Sequence, residues 1–127
     1  MNRILNIVTT AYRATLEEQD DTILWLARAL KNAGAETGLL LRGDAVSYLV
    51  KGHEASQVSF GSRRLAHPPQ LDRDIAAIVA SGTPVFAIAE DLQVLGIRHE
   101  PHVDGVRVLP RADLPKLFEQ YEQIWQW

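Results

Sequence analysis

Pro84-Val85-Phe86-Ala87-Ile88-Ala89-Glu90-Asp91-Leu92-Gln93-Val94-Leu95-Gly96-Ile97 is the stretch whose reading decides the fold. Proline at its head, followed by five residues without a charge, predicts a strand over 84–89. Asp91 then stands where it can cap a turn of helix, and Gly96 stops that turn. A strand that runs straight into a helix is half of a βαβ unit, so the rest of the chain is read for its other halves.

They lie on both sides. Upstream, Leu71, Ile75, Ile78 and Val79 make a helical stripe that ends at Gly82. Before that, residues 50–69 are irregular, with Gly52, Gly61, Pro68 and Pro69, and admit a short strand over 57–60. Thr37 to Leu41 predicts a buried strand closing on Arg42-Gly43-Asp44, with Asp44 capping a short helix through Leu49. A helix before it places Ile23, Leu26, Ala27 and Leu30 on one face. Gly34 is its stop, and Thr15-Leu16-Glu17-Glu18 has capping-box spacing. Arg3 to Thr9 reads as a strand buried on both faces. Downstream, Val106 to Leu109 predicts a last strand. Asp113 and Pro115 then open a helix whose stripe, Leu114, Leu117, Phe118, Tyr121, Ile124 and Trp125, runs to the C-terminus. Strands alternating with helices predict an α/β fold: a three-layer α/β/α sandwich around a mainly parallel sheet of four to five strands.

Composition narrows the function. A chain of 127 residues is expected to form one domain, 1–127, and to hide about two thirds of its unfolded surface. Thirteen basic against sixteen acidic side chains give a net charge of −3, which disfavours a nucleic-acid partner. No apolar run approaches the ~20 residues of a membrane span, and no signal peptide is read at the N-terminus, so the expected location is the cytoplasm. There is no glycine-rich phosphate loop, and no serine lies in a nucleophile elbow.

The ordered set of motifs resembles the DsrE/DsrF-like family of sulfur-relay proteins. The resemblance rests on the Thr9-Thr10-Ala11-Tyr12 turn, Leu41-Arg42-Gly43-Asp44-Ala45-Val46, Gly82-Thr83-Pro84-Val85-Phe86 with Asp91-Leu92 and Gly96-Ile97, and Gly105-Val106. It implies homotrimers or homohexamers and persulfide transfer between partner proteins. Many members of that family carry a cysteine at the end of the 84–89 strand, and there this chain has Ile88. It has no cysteine at all. A persulfide needs a thiolate to accept and release sulfur, so the expected role is a non-catalytic binding or scaffolding subunit beside a cysteine-bearing relay partner. No cofactor is expected.

Ligands of open parallel sheets bind beyond the carboxyl ends of the strands. Tyr12 and Arg13, Arg42 and Asp44, Glu90 and Asp91, and Arg111 all follow strands and are expected there as a candidate pocket for a small anion or polar ligand, with binding or enzymatic use the alternative function. The competing reading has Asp44 and Asp91 as helix caps, and Arg42 and Glu90 paired with each other or with solvent. Glu90 and Asp91 as an acid–base dyad is disfavoured, because neighbours at a strand end point apart. His99 and His102 are three apart, but Pro101 argues against the helix that would bring them together, and no metal site is expected. The basic segment 51–67, with Lys51, Arg63, Arg64, His53 and His67, could form a lid or supply an imidazole to a neighbouring subunit's pocket. In the tail, Trp125 and Trp127 are candidate interface anchors, Trp127 exceeding what one small core needs.

Overall fold

A computed structural model describes residues 3–9, 22–52, 59–60, 63–64 and 71–127. The strands are β1 (Arg3–Val8), β2 (Glu36–Leu41), β3 (Ser59–Phe60), β4 (Arg63–Arg64), β5 (Val85–Ile88), β6 (Arg107–Leu109) and β7 (Gln123–Gln126). The α-helices are α1 (Thr22–Asn32), α2 (Leu71–Ala80), α3 (Ala89–Val94) and α4 (Leu114–Phe118). Tight 3-10 helices span Gly43–Leu49 and Arg111–Asp113. Five strands form one sheet in the order β6-β5-β2-β1-β7, and every pairing in it is parallel.

Strand alternation sends successive side chains to opposite faces of this sheet. One face presents Val8, Leu39, Leu41, Val85 and Ala87 to a core filled by Leu24 of α1, Leu71, Ile75 and Ile78 of α2, Leu92 of α3 and the 3-10 helix residues Ala45, Val46, Tyr48 and Leu49. The other presents Leu5, Ile7, Leu40, Phe86 and Ile88 to Leu114 and Leu117 of α4, with Tyr121 packed alongside. Both faces being covered, β1, β2 and β5 are buried almost throughout, as strands of a parallel sheet between two layers are. The α/β architecture expected from the sequence is the one observed.

Local signals hold for α2, whose buried residues are Leu71, Ile75 and Ile78. Helix α1 is rotated from its expected stripe. Among the side chains described in it, Leu24 and Ala27 are buried, whereas Leu26 and Leu30 are only half-buried. Its stop is as read: Gly34, at φ +93°, lets its own N–H reach the Lys31 carbonyl while Ala35 N–H reaches that of Leu30. That double closure requires a left-handed residue, which glycine supplies without steric cost. The capping box at Thr15–Glu18 lies outside the described residues.

The tail departs from its expected helix. Helix α4 ends at Phe118, and Gln123–Gln126 runs as a strand beside β1, with Leu5 opposite Ile124 and Asn6 opposite Trp125. Tyr121, Ile124 and Trp125 fit a helical spacing, but Trp125 and Trp127 also fit a spacing of two, with Ile124 and Gln126 on the opposite face. The second pattern prevails because β1 would otherwise leave a row of buried backbone donors and acceptors unmatched. The segment near 57–60 is likewise not the fifth strand of the main sheet. Ser59–Phe60 pairs antiparallel with Arg63–Arg64 in a two-stranded sheet of its own.

Candidate functional site

All five parallel strands deliver their carboxyl ends to one rim of the sheet. Thr9, Arg42, Glu90 with Asp91, Arg111 and Trp127 therefore converge there. Much of their chemistry is spent within the chain. Asp91 does not cap its own helix: α3 begins after Ile88 with no side-chain cap. Its Oδ2 instead accepts the Gly43 N–H at 2.9 Å, so it caps the 3-10 helix that follows β2, across the strand boundary. Its Oδ1 accepts Arg111 Nη2 at 3.0 Å. The Asp91 side chain is 15% exposed and that of Arg111 54%, so the pair is anchored at the acid and solvated at the guanidinium.

Glu90 also serves the backbone. Its two carboxylate oxygens accept the Arg111 N–H at 3.0 and 2.9 Å, tying the end of β5 to the end of β6. Of the two options for Arg42 and Glu90, pairing with each other is not seen. Arg42 is the residue before the 3-10 helix, in extended backbone, with its N–H on the Val8 carbonyl at 2.9 Å. Its guanidinium makes no hydrogen bond or ion pair with any described residue. Asp44 was expected to cap this helix but stands inside its first turn, exposed, and makes no side-chain cap. A carboxylate there still complements the positive helix end. Tyr12 and Arg13 lie outside the described residues. Of the candidate pocket, then, Glu90 and Asp91 are structural fasteners, while Arg42 is left over. Ile88 is fully buried at the end of β5, in the core beside Phe86 and Leu5.

Trp127 turns onto its own sheet. Its N–H donates to the Ile7 carbonyl at 2.9 Å, and its carbonyl accepts from Thr9. The indole Nε1–H donates to Asn6 Oδ1 at 3.3 Å, and the ring packs on the larger core cluster. Trp125 is half-buried on the same face, while Ile124 opposite is 42% exposed. Among the described residues no three histidines or carboxylates stand close enough to hold a metal. The His102 ring meets the Ile97 carbonyl at 3.1 Å, and His99 is exposed. Of the basic segment, Lys51 faces Asp104 at 3.6 Å, while His53 and His67 lie outside the described residues.

The opposite rim, where the strands begin, was not foreseen. There the Tyr121 ring lies directly over Gly38 of β2, so close that a Cβ at that position would collide with the phenol oxygen. Burial pushes the Tyr121 phenol up from its ordinary value, against the opposing pull of Arg3 and Arg107. The sequence signal was Gly38 itself, since a glycine inside a strand often marks a close approach.

An all-parallel open sheet with helices against both faces defines an α/β protein. Among solved structures its fold is similar to that of the ychN protein from E. coli, with a TM-score of 0.75, 18% identity and 100% of each chain covered. At that identity the likeness is one of fold alone. No family model matches the sequence, and no curated protein matches it. Among the described residues no helix is long and apolar enough to cross a membrane.

Proposed function

We propose that this chain is a non-catalytic DsrE/F-like subunit, a binding or scaffolding member of an intracellular sulfur-relay assembly that carries no sulfur itself. One observation bears most of the weight. The residue at the family's cysteine position is Ile88, sealed in the core, and none of the 127 residues is a cysteine. Sulfur transfer proceeds by thiolate attack, for which this chain has no nucleophile. The likeness in fold to the ychN protein supports the placement among DsrE-like proteins. On this reading the chain assembles as a homotrimer or homohexamer, with the exposed Ile124 beside Trp125 contributing to contacts, and a cysteine-bearing relay protein is its partner.

Incubation with a persulfidated donor tests it: protein-bound sulfane sulfur should stay at background, and stoichiometric uptake would sink the reading. Native mass spectrometry with a cysteine-bearing DsrE/F-type protein should show a mixed oligomer. A second reading is favoured by the Arg42 guanidinium, unpaired among the described residues, on the same rim as the half-exposed Arg111, which suits a small anion there. A stoichiometric added mass on the purified protein, lost in Arg42→Gln, would favour that reading.

A further inference from the structure

The amino rim holds a cavity of about 340 Å³ lined by Arg3, Lys31, Glu36, Thr37, Gln120 and Tyr121. We propose that this cavity is a binding site for small, singly charged carboxylates. It lies at the opposite end of the strands from Ile88 and Arg42, and so stands independently of the relay reading.

Four observations converge on it. Thr37 is only 6% exposed, and its Oγ1 has no hydrogen-bond partner among the described residues. A buried hydroxyl without a partner costs free energy unless something else satisfies it. Tyr121 presents a phenol that makes no hydrogen bond with any described residue and is held against β2 at the position where only glycine fits. Lys31, in the last turn of α1, has no carboxylate partner among the described residues. Arg3 is fixed by its Nε–H on Glu36 Oε2 at 2.8 Å, a bond that leaves the terminal guanidinium nitrogens uncommitted. The wall thus supplies an ammonium, guanidinium N–H groups, two hydroxyls and the Gln120 amide. Thr37 shares the α1 face of the sheet with Lys31, whereas Tyr121 lies over the other face, so a carboxylate accepts first from the Lys31 ammonium and the Thr37 hydroxyl, with Arg3 and Tyr121 across the opening.

Charge sets the class. Arg3 and Lys31 against Glu36 leave the lining at +1. The adjoining depression on the same rim adds Glu119 and Glu122, which oppose any second negative charge. The lining alone matches a monoanion, and the two neighbouring carboxylates weigh twice as heavily against a phosphate dianion. The volume suits a ligand of a few to about a dozen heavy atoms, at the small end of ordinary pockets.

The test is a titration of the ¹⁵N-labelled full chain with acetate, pyruvate and benzoate, and separately with inorganic phosphate at pH 7.5. Saturable amide shifts at Thr37, Gln120 and Tyr121 are expected with at least one carboxylate. Lys31→Gln should weaken that binding about tenfold, the usual worth of a charge-assisted hydrogen bond. Tyr121→Phe keeps the ring over Gly38 and should weaken it less. Absence of saturable shifts at these amides with every carboxylate overturns the proposal. So does affinity unchanged in Lys31→Gln, or phosphate binding as tightly as the best carboxylate.

Discussion

The two rims of one sheet treat their polar residues in opposite ways. At the carboxyl rim, Glu90 and Asp91 are consumed by the Arg111 and Gly43 backbone N–H groups and the Arg111 side chain. At the amino rim, the Thr37 hydroxyl, the Tyr121 phenol and the Lys31 ammonium stand around a cavity with no partner among the described residues. The usual expectation for parallel sheets places ligands at carboxyl ends because the loops there are free to vary. Here the described loops of that rim are stitched together, and the uncommitted chemistry lies at the other end. Charged residues at strand ends are therefore a poor guide until their backbone partners are known.

The comparison breaks most sharply at Gly38. Gly38→Ala places a methyl group against the Tyr121 phenol and should cost about 2 kcal/mol, in the range of overpacked cores. In a Tyr121→Ala background the same change should be nearly neutral. A urea-denaturation double-mutant cycle measures this, and additive costs would show that the two residues do not meet. Asp91→Ala should come next, at about 1–2 kcal/mol, since it strips a cap and an anchored ion pair together. Asp91→Asn, which keeps an acceptor for the Gly43 N–H, should lose less. Equal stability of all three proteins would mean the carboxyl rim is not fastened as described.

The smallest effect is the dependence on alkali. The folded Tyr121 phenol titrates above its unfolded value of 10.0 because burial disfavours the phenolate. The stability this contributes is fully present below pH 10 and is lost as pH rises through the folded value. Wild type should therefore lose stability more steeply than Tyr121→Phe above pH 10, and parallel curves would remove the burial argument. The effect stays small because Tyr121 is half-buried and its charged form is partly solvated.

Much of the central sheet was legible in the residues. β1, β2, β5 and β6 fall where branched and apolar runs place them, and Gly34 and Gly82 end helices as read. What escaped depends on pairings far apart in the chain. Tyr121, Ile124 and Trp125 satisfy a helical period as well as a strand period, and only the open side of β1, some 120 positions earlier, decides between them. Asp91 sits where a cap for its own helix belongs, yet its partner is Gly43 on another element. Leu24, outside the expected stripe, is buried in α1 while Leu26 and Leu30 are half-buried, because the neighbouring α2 and β2, not the helix alone, determine which side is covered. The candidate site was the least legible part, since every residue in it was named by position along a strand rather than by what its atoms touch.

Strand β7 lies between solvent and β1, and β1 is otherwise an edge. During synthesis the first strand must therefore wait, one flank bare, until residue 126 has been made. Its closing contact is among the longest-range in the sheet, and contacts of that kind form late and slow a folding chain. Newly made protein with β1 and β2 joined but β7 not yet seated would offer that flank to any extended peptide, which makes the last few residues a safeguard against mispairing as much as a part of the core.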